Sequence, residues 1–172
     1  MMRSMTALVI TAFVLTASAC SPTSPSYPGR PEILATTPTM KTASGTVTAV
    51  LNGQAFSADS DLIKVGASNG VFALQAVGPS GGSRFQVSFS LAAGGPGSYA
   101  IPGSGTGIGN SASLASDRSS WAANNLTGSG TIEITSLTPT SAAGTFSLTL
   151  QPTATGAVGT YNVAAGTFNV IF

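Results

Sequence analysis

The chain has 172 residues, only 6% of them charged, where ordinary globular domains carry about 25%. It holds six Lys and Arg, five Asp and Glu, one Cys and no His. That excludes an internal disulfide, leaves out the commonest general base and metal ligand, and gives no basic field for nucleic acid or anionic headgroups. No cofactor and no metal are expected, and the length fits one domain with a tail.

The first element is a leader over residues 1–19. Arg3 supplies a positive start, Ala7–Leu15 is apolar apart from Thr11, and the small residues Ala17, Ser18 and Ala19 precede Cys20. This is the layout of an export signal. As a helix the apolar run spans about 14 Å at 1.5 Å per residue, too short for a bilayer core. Thr16-Ala17-Ser18-Ala19-Cys20 resembles the lipobox of bacterial lipoproteins, with Ala17 where Leu is usual. The resemblance implies cleavage before Cys20, a diacylglyceryl group on its thiol and acylation of the new amine, palmitate being the type of chain expected. The sole Cys stands where a lipobox needs it, and a free thiol at an exported terminus would be an oxidation hazard. Ser21, not being Asp, implies outer-membrane sorting by the same resemblance. Ala17-Ser18-Ala19 also satisfies the small-x-small rule of ordinary cleavage, so a secreted or periplasmic product is the alternative.

Residues 20–41 form the next segment. Pro22, Pro25, Pro28, Pro31 and Pro38 crowd into it, removing backbone donors and fixing φ. An extended tether is expected, reaching about 3.1 Å per residue where it adopts polyproline II.

From residue 42 to 172 the apolar period changes to two. In Arg84–Leu91, Phe85, Val87, Phe89 and Leu91 share one face. Phe72, Leu74 and Ala76 do so in Val71–Val77, Ile132 and Ile134 in Thr131–Thr135, Phe146, Leu148 and Leu150 in Thr145–Leu150. Phe168, Val170 and Phe172 repeat it at the end, so the last strand is expected to run to Phe172. Asn52-Gly53 marks a hairpin between Gly45–Leu51 and Gln54–Ala58. Ser68-Asn69-Gly70 and Gly78-Pro79-Ser80-Gly81-Gly82 mark two more reversals. Gly94–Gly109 reads as loop with a short strand at Ser98–Ile101. About nine to eleven short strands with one apolar face each close a core as an antiparallel β-sandwich or a barrel, the sandwich being favoured. With few Lys or Glu to block edge-to-edge pairing, Pro79 and Pro96 are expected to protect edges instead.

Four more stretches carry a resemblance: Val50-Leu51-Asn52-Gly53-Gln54-Ala55-Phe56, Gly130-Thr131-Ile132-Glu133-Ile134-Thr135-Ser136-Leu137, Gly144-Thr145-Phe146-Ser147-Leu148 and Gly166-Thr167-Phe168-Asn169-Val170. Together they resemble a family of small all-β bacterial lipoproteins of unknown function, common in Bacteroidetes. Glu133 and Leu148 stand where that pattern has Thr and Phe. The resemblance implies an all-β fold and brings no activity and no site residues.

Candidate chemistry is sparse. Gly78-Pro79-Ser80-Gly81-Gly82 matches Gly-x-Ser-x-Gly, but a hydrolase elbow needs a preceding strand, a following helix and a His; a hairpin loop is expected. Asp59 and Asp61 offer too few oxygens for Ca²⁺, Asp117-Arg118 reads as a surface pair, and Glu133 points to solvent. Asn125-Leu126-Thr127 fits a glycosylation acceptor that carries no meaning in bacteria. Trp121, Tyr99 and Tyr161 could stack on sugar rings if a Tyr lies beside Trp121 on an exposed face; otherwise they fill the core or cap its ends. The expectation is a non-enzymatic, monomeric protein at the cell envelope, bound to membrane lipid through acylated Cys20, with a structural or binding role. A carbohydrate-binding or adhesion module is the alternative, and an envelope protein or glycan partner is left open.

Overall fold

The computed structural model describes residues 38–101, 109–154 and 156–172. Cys20, the leader, most of the tether and part of the glycine-rich stretch therefore lie outside the described residues. The chain forms β1 (Lys41–Thr42), β2 (Ser44–Leu51), β3 (Gln54–Ser57), a 3-10 turn (Ser60–Leu62), β4 (Ile63–Ser68), β5 (Val71–Ser80) and β6 (Ser83–Leu91). Then follow β7 (Gly97–Ile101), β8 (Ser111–Ala115), β9 (Ser120–Ala123), β10 (Ser129–Leu137), β11 (Ser141–Pro152) and β12 (Tyr161–Ile171).

All pairings are antiparallel, and the strands fold as a sandwich. One sheet, A, runs β1-β4-β5-β6-β8-β9; the other, B, runs β7-β10-β11-β12-β2-β3. The two are joined at one side only, where the end of β11 leaves sheet B and pairs Gln151 with Ala122 and Pro152 with Trp121 of β9. The all-β sandwich expectation holds. The described residues carry twelve strands, one above the expected range, because two-residue β1 and the Ser/Ala-rich β8 and β9 have faint apolar alternation.

The period-two pattern places the core. Phe72, Leu74 and Ala76 of β5, Val87, Phe89 and Leu91 of β6, Ile132 and Ile134 of β10, and Phe146, Leu148 and Leu150 of β11 are all buried. Phe85 alone of its set is half-buried, at the end of β6. The sheets meet ring on ring: Phe72 lies 5.9 Å from Phe168, and Phe89 lies 5.7 Å from both Phe146 and Phe168. Such tilted and offset contacts suit the aromatic quadrupole.

Turn chemistry sets the registers. Asn52-Gly53, Asn69-Gly70 and Gly81-Gly82 all have positive φ at both positions, the type I′ geometry whose twist matches a hairpin. The third reversal is narrower than its sequence suggests. Gly78, Pro79 and Ser80 belong to β5 and pair with Phe85, Arg84 and Ser83. The reason is tertiary: the Ser57 carbonyl and Ala58 backbone cross directly over Gly78, leaving no room for a Cβ. The last strand likewise stops at Ile171, while the Phe172 amide donates to the Thr140 carbonyl at 2.9 Å.

The open edges are closed by side chains and crossings. Pro38, Thr39 and Met40, the end of the expected tether, lie over Gly66 of β4 next to β1. Pro79 offers no donor in the stretch of β5 beyond its last β4 pair, Ile63 with Ala76, as expected for an edge proline. At β7, Asn110 donates from Nδ2 to the Ala100 carbonyl and accepts at Oδ1 from the Ala92 amide, both at 2.9 Å. One side chain thus ties the edge of sheet B to the chain leaving β6. Asn110→Ala is expected to cost about 1–2 kcal/mol for two hydrogen bonds, read as a lower urea midpoint with unchanged slope.

Candidate functional site

The aromatic residues separate. Trp121 on β9 is 7% exposed and its Nε1 donates to the Gly159 carbonyl at 3.1 Å. Its ring lies 4.8 Å from Tyr161, which lies 5.8 Å from Phe85. Tyr99 stands apart on β7, its hydroxyl donating to the Gly95 carbonyl at 2.6 Å. Trp121 and Tyr161 are side by side, but with the indole buried and committed they close the end of the core and form no open platform.

Burial raises the Tyr161 phenol above its ordinary value of 10.0. Below that pH the folded and unfolded chains hold the same proton. As pH rises past it the unfolded chain ionises first, so stability falls through that window until the folded phenol also ionises. An ultraviolet phenolate titration of the folded protein is expected to show one late-ionising tyrosine that Tyr161→Phe removes.

The carboxylates of the described residues do not assemble. Asp59 pairs with Arg84 across the surface, worth at most about 1 kcal/mol. Asp61 is exposed in the 3-10 turn, Asp117 beside Arg118 in the β8–β9 turn, and Glu133 points outward from β10. No cluster of three metal-ligating side chains occurs among the described residues. Ser80 is 4% exposed, donates to the Gln54 carbonyl and is followed by a turn and a strand, so the Gly-x-Ser-x-Gly stretch lacks the helix an elbow requires. Near Asn125, it is Asn124 that caps the loop, accepting from the Leu126 and Thr127 amides.

The outer face of sheet B is different. Across it the register sets Thr131 beside Ser147, Glu133 beside Thr145 beside Thr167, and Thr149 beside Asn162. Two adjoining depressions of about 400 and 500 Å³ run over these strands and share Thr131 and Ser147. A β-bulge makes them. Phe146 pairs with Gly166 and Leu148 with Val163, so Ser147 faces the two residues Ala164 and Ala165 without a partner of its own in β12. Ala165 takes φ +47, a left-handed backbone that costs a non-glycine residue about 1–2 kcal/mol. The floor there carries only methyls and glycine.

The chain matches no protein-family model, no curated protein and no solved structure.

The hydroxyls of this trough are open. Thr131, Thr145 and Ser147 make no side-chain hydrogen bond within the described residues, while Thr167 bonds Thr48 at 2.9 Å and Thr149 reaches Asn162 at 3.4 Å. Sheet A's outer face has a depression of about 390 Å³, where Ser88 and Ser113 bond each other at 2.8 Å and Gln75 donates to Gln86 at 2.8 Å, while the neighbouring Ser90 and Ser111 hydroxyls are open as well. Sequence alternation shows Thr and Ser facing outward on β10, β11 and β12. It does not show the dent, because Ala164-Ala165 reads as ordinary strand.

Proposed function

We propose that this chain is an exported protein held at the bacterial cell envelope, the outer membrane by preference, through fatty acyl chains on Cys20, and that it works there by binding. The observation that carries the reading is the single Cys of the chain, placed directly after an apolar run and three small residues and ahead of a proline-rich stretch. Two or three acyl chains make a stable anchor at about 0.8 kcal/mol per buried CH₂, where one holds only marginally. The start of β2 lies at the end of the sandwich shared by Ile171 and the Thr138–Ser141 turn. The unsatisfied hydroxyls of the sheet B trough favour binding over a purely structural role.

Mass spectrometry of the mature N-terminus tests the anchor. The expected product begins at Cys20 with added diacylglyceryl and acyl mass and enters the detergent phase, whereas Cys20→Ala is unmodified and stays aqueous. A wild-type product with a free, titratable Cys20 thiol overturns it.

A further inference from the structure

We infer that the trough on the outer face of sheet B is a binding site for a neutral polysaccharide chain. This deepens the binding role proposed above and does not depend on the anchor.

Charge points to a neutral ligand. Glu133 is the one ionisable side chain bounding either depression, and the remaining polar walls are hydroxyl and amide. An anionic glycan or a phosphate finds no cation there, and a cation finds a lone carboxylate. Hydroxyls and carboxamides, which both donate and accept, match the alternating donors and acceptors of sugar rings.

Shape and stiffness point to a chain. The two depressions adjoin across β10, β11 and β12, sharing Thr131 and Ser147 at their junction, so an extended ligand can occupy both at once. Threonine is β-branched and restricted at χ1, so these hydroxyls lose little freedom on binding. The floor supplies the complementary surface. At the bulge the methyls of Ala164 and Ala165 stand where longer side chains would fill the trough, and they offer apolar contact to the C–H face of a pyranose. Strained backbone that persists in a fold concentrates at functional sites, and bulges beside such sites re-aim neighbouring residues. A glycine would relieve the strain at Ala165 and remove the methyl.

The aromatic end of the sandwich is the competing location, since Tyr161 and Phe85 are half-buried there. The test separates the two. Full-length Cys20→Ala protein, which takes the anchor out of the measurement, is run in native gels containing soluble neutral glucan, mannan or xylan, with alginate as the anionic control. Retardation is expected in at least one neutral gel and not in alginate. Thr131→Ala with Ser147→Ala is expected to weaken it about five- to tenfold for each hydrogen-bonding hydroxyl lost, and Ser147→Glu to abolish it. Tyr161→Phe and Ser113→Ala, which lie off the trough, should retain it. The near-ultraviolet signal of Trp121 reports that each variant is folded. No retardation in any neutral gel overturns the inference, as does retardation that survives Ser147→Glu or is lost with Tyr161→Phe. Failure of the anchor shows instead in the wild-type N-terminal mass, so the two readings fall separately.

Discussion

A chain ending at Thr167 is expected to remain unfolded. The five missing residues form no free edge: β12 lies between β11 and β2, with Phe168 paired to both Gly144 and Val47, and Val170 to both Ala142 and Gly45. Truncation therefore severs two ladders at once. Phe168 and Val170 are 2% and 0% exposed, and losing each such side chain costs about 1.5–3 kcal/mol by area alone. Phe168 also touches Phe72 and Phe89 across the core, and Phe172 packs against the core's edge. Against a total stability of about 5–15 kcal/mol, the sum leaves no stable native state. Far-ultraviolet circular dichroism and limited proteolysis check it; a soluble, protease-resistant fragment with the full-length spectrum contradicts it. Phe168→Ala alone is expected to cost about 3–5 kcal/mol.

Gly144→Ala is the second large effect. A Cβ at this site would sit 2.0 Å from the Glu133 carbonyl oxygen and 2.6 Å from the Phe168 ring. The ring is free to turn only into neighbours already packed, and the carbonyl belongs to the β10 backbone beside the irregularity at Ile134–Ser136. Overpacking of this kind costs about 1–3 kcal/mol and occasionally more, and contact with backbone puts Gly144→Ala at the upper end. With a urea slope of about 1–3 kcal/mol/M, the midpoint should fall by about 1 M or more. Gly53→Ala separates crowding from strain: Gly53 has φ +84 but nothing within 4 Å of its Cβ position. It should cost only about 1–2 kcal/mol. Equal losses at the two sites would refute the crowding argument.

These two regions also show what was legible before the fold was known. The alternation of large apolar side chains in β5, β6, β10, β11 and the end of β12 placed the large core residues of those segments on one face, because burial on one side of a pleated strand forces that period. Asn52-Gly53 was readable for the same kind of reason, since few other pairs accept its φ values. The strands built from Ser and Ala were not: in Ser111–Ala115 only Leu114 is large, and Ser120–Ala123 offers only Trp121. Gly78-Pro79-Ser80 read as a turn on composition, and what straightens it is a crossing from Ser57 and Ala58, far away in sequence. Trp121 and Tyr161 are neighbours only because β11 leaves one sheet for the other next to β9. The trough follows from a one-residue slip between β11 and β12, and Ala165 carries no local signal for a left-handed backbone.

The pairing of β2 with β12 joins the first long strand of the sandwich to the last. A ribosome delivers Ser44 well before Ile171, so β2 waits for β12 while the intervening strands are made, and loop closure over that separation is slow. The body of the sandwich cannot lock shut ahead of its final strand.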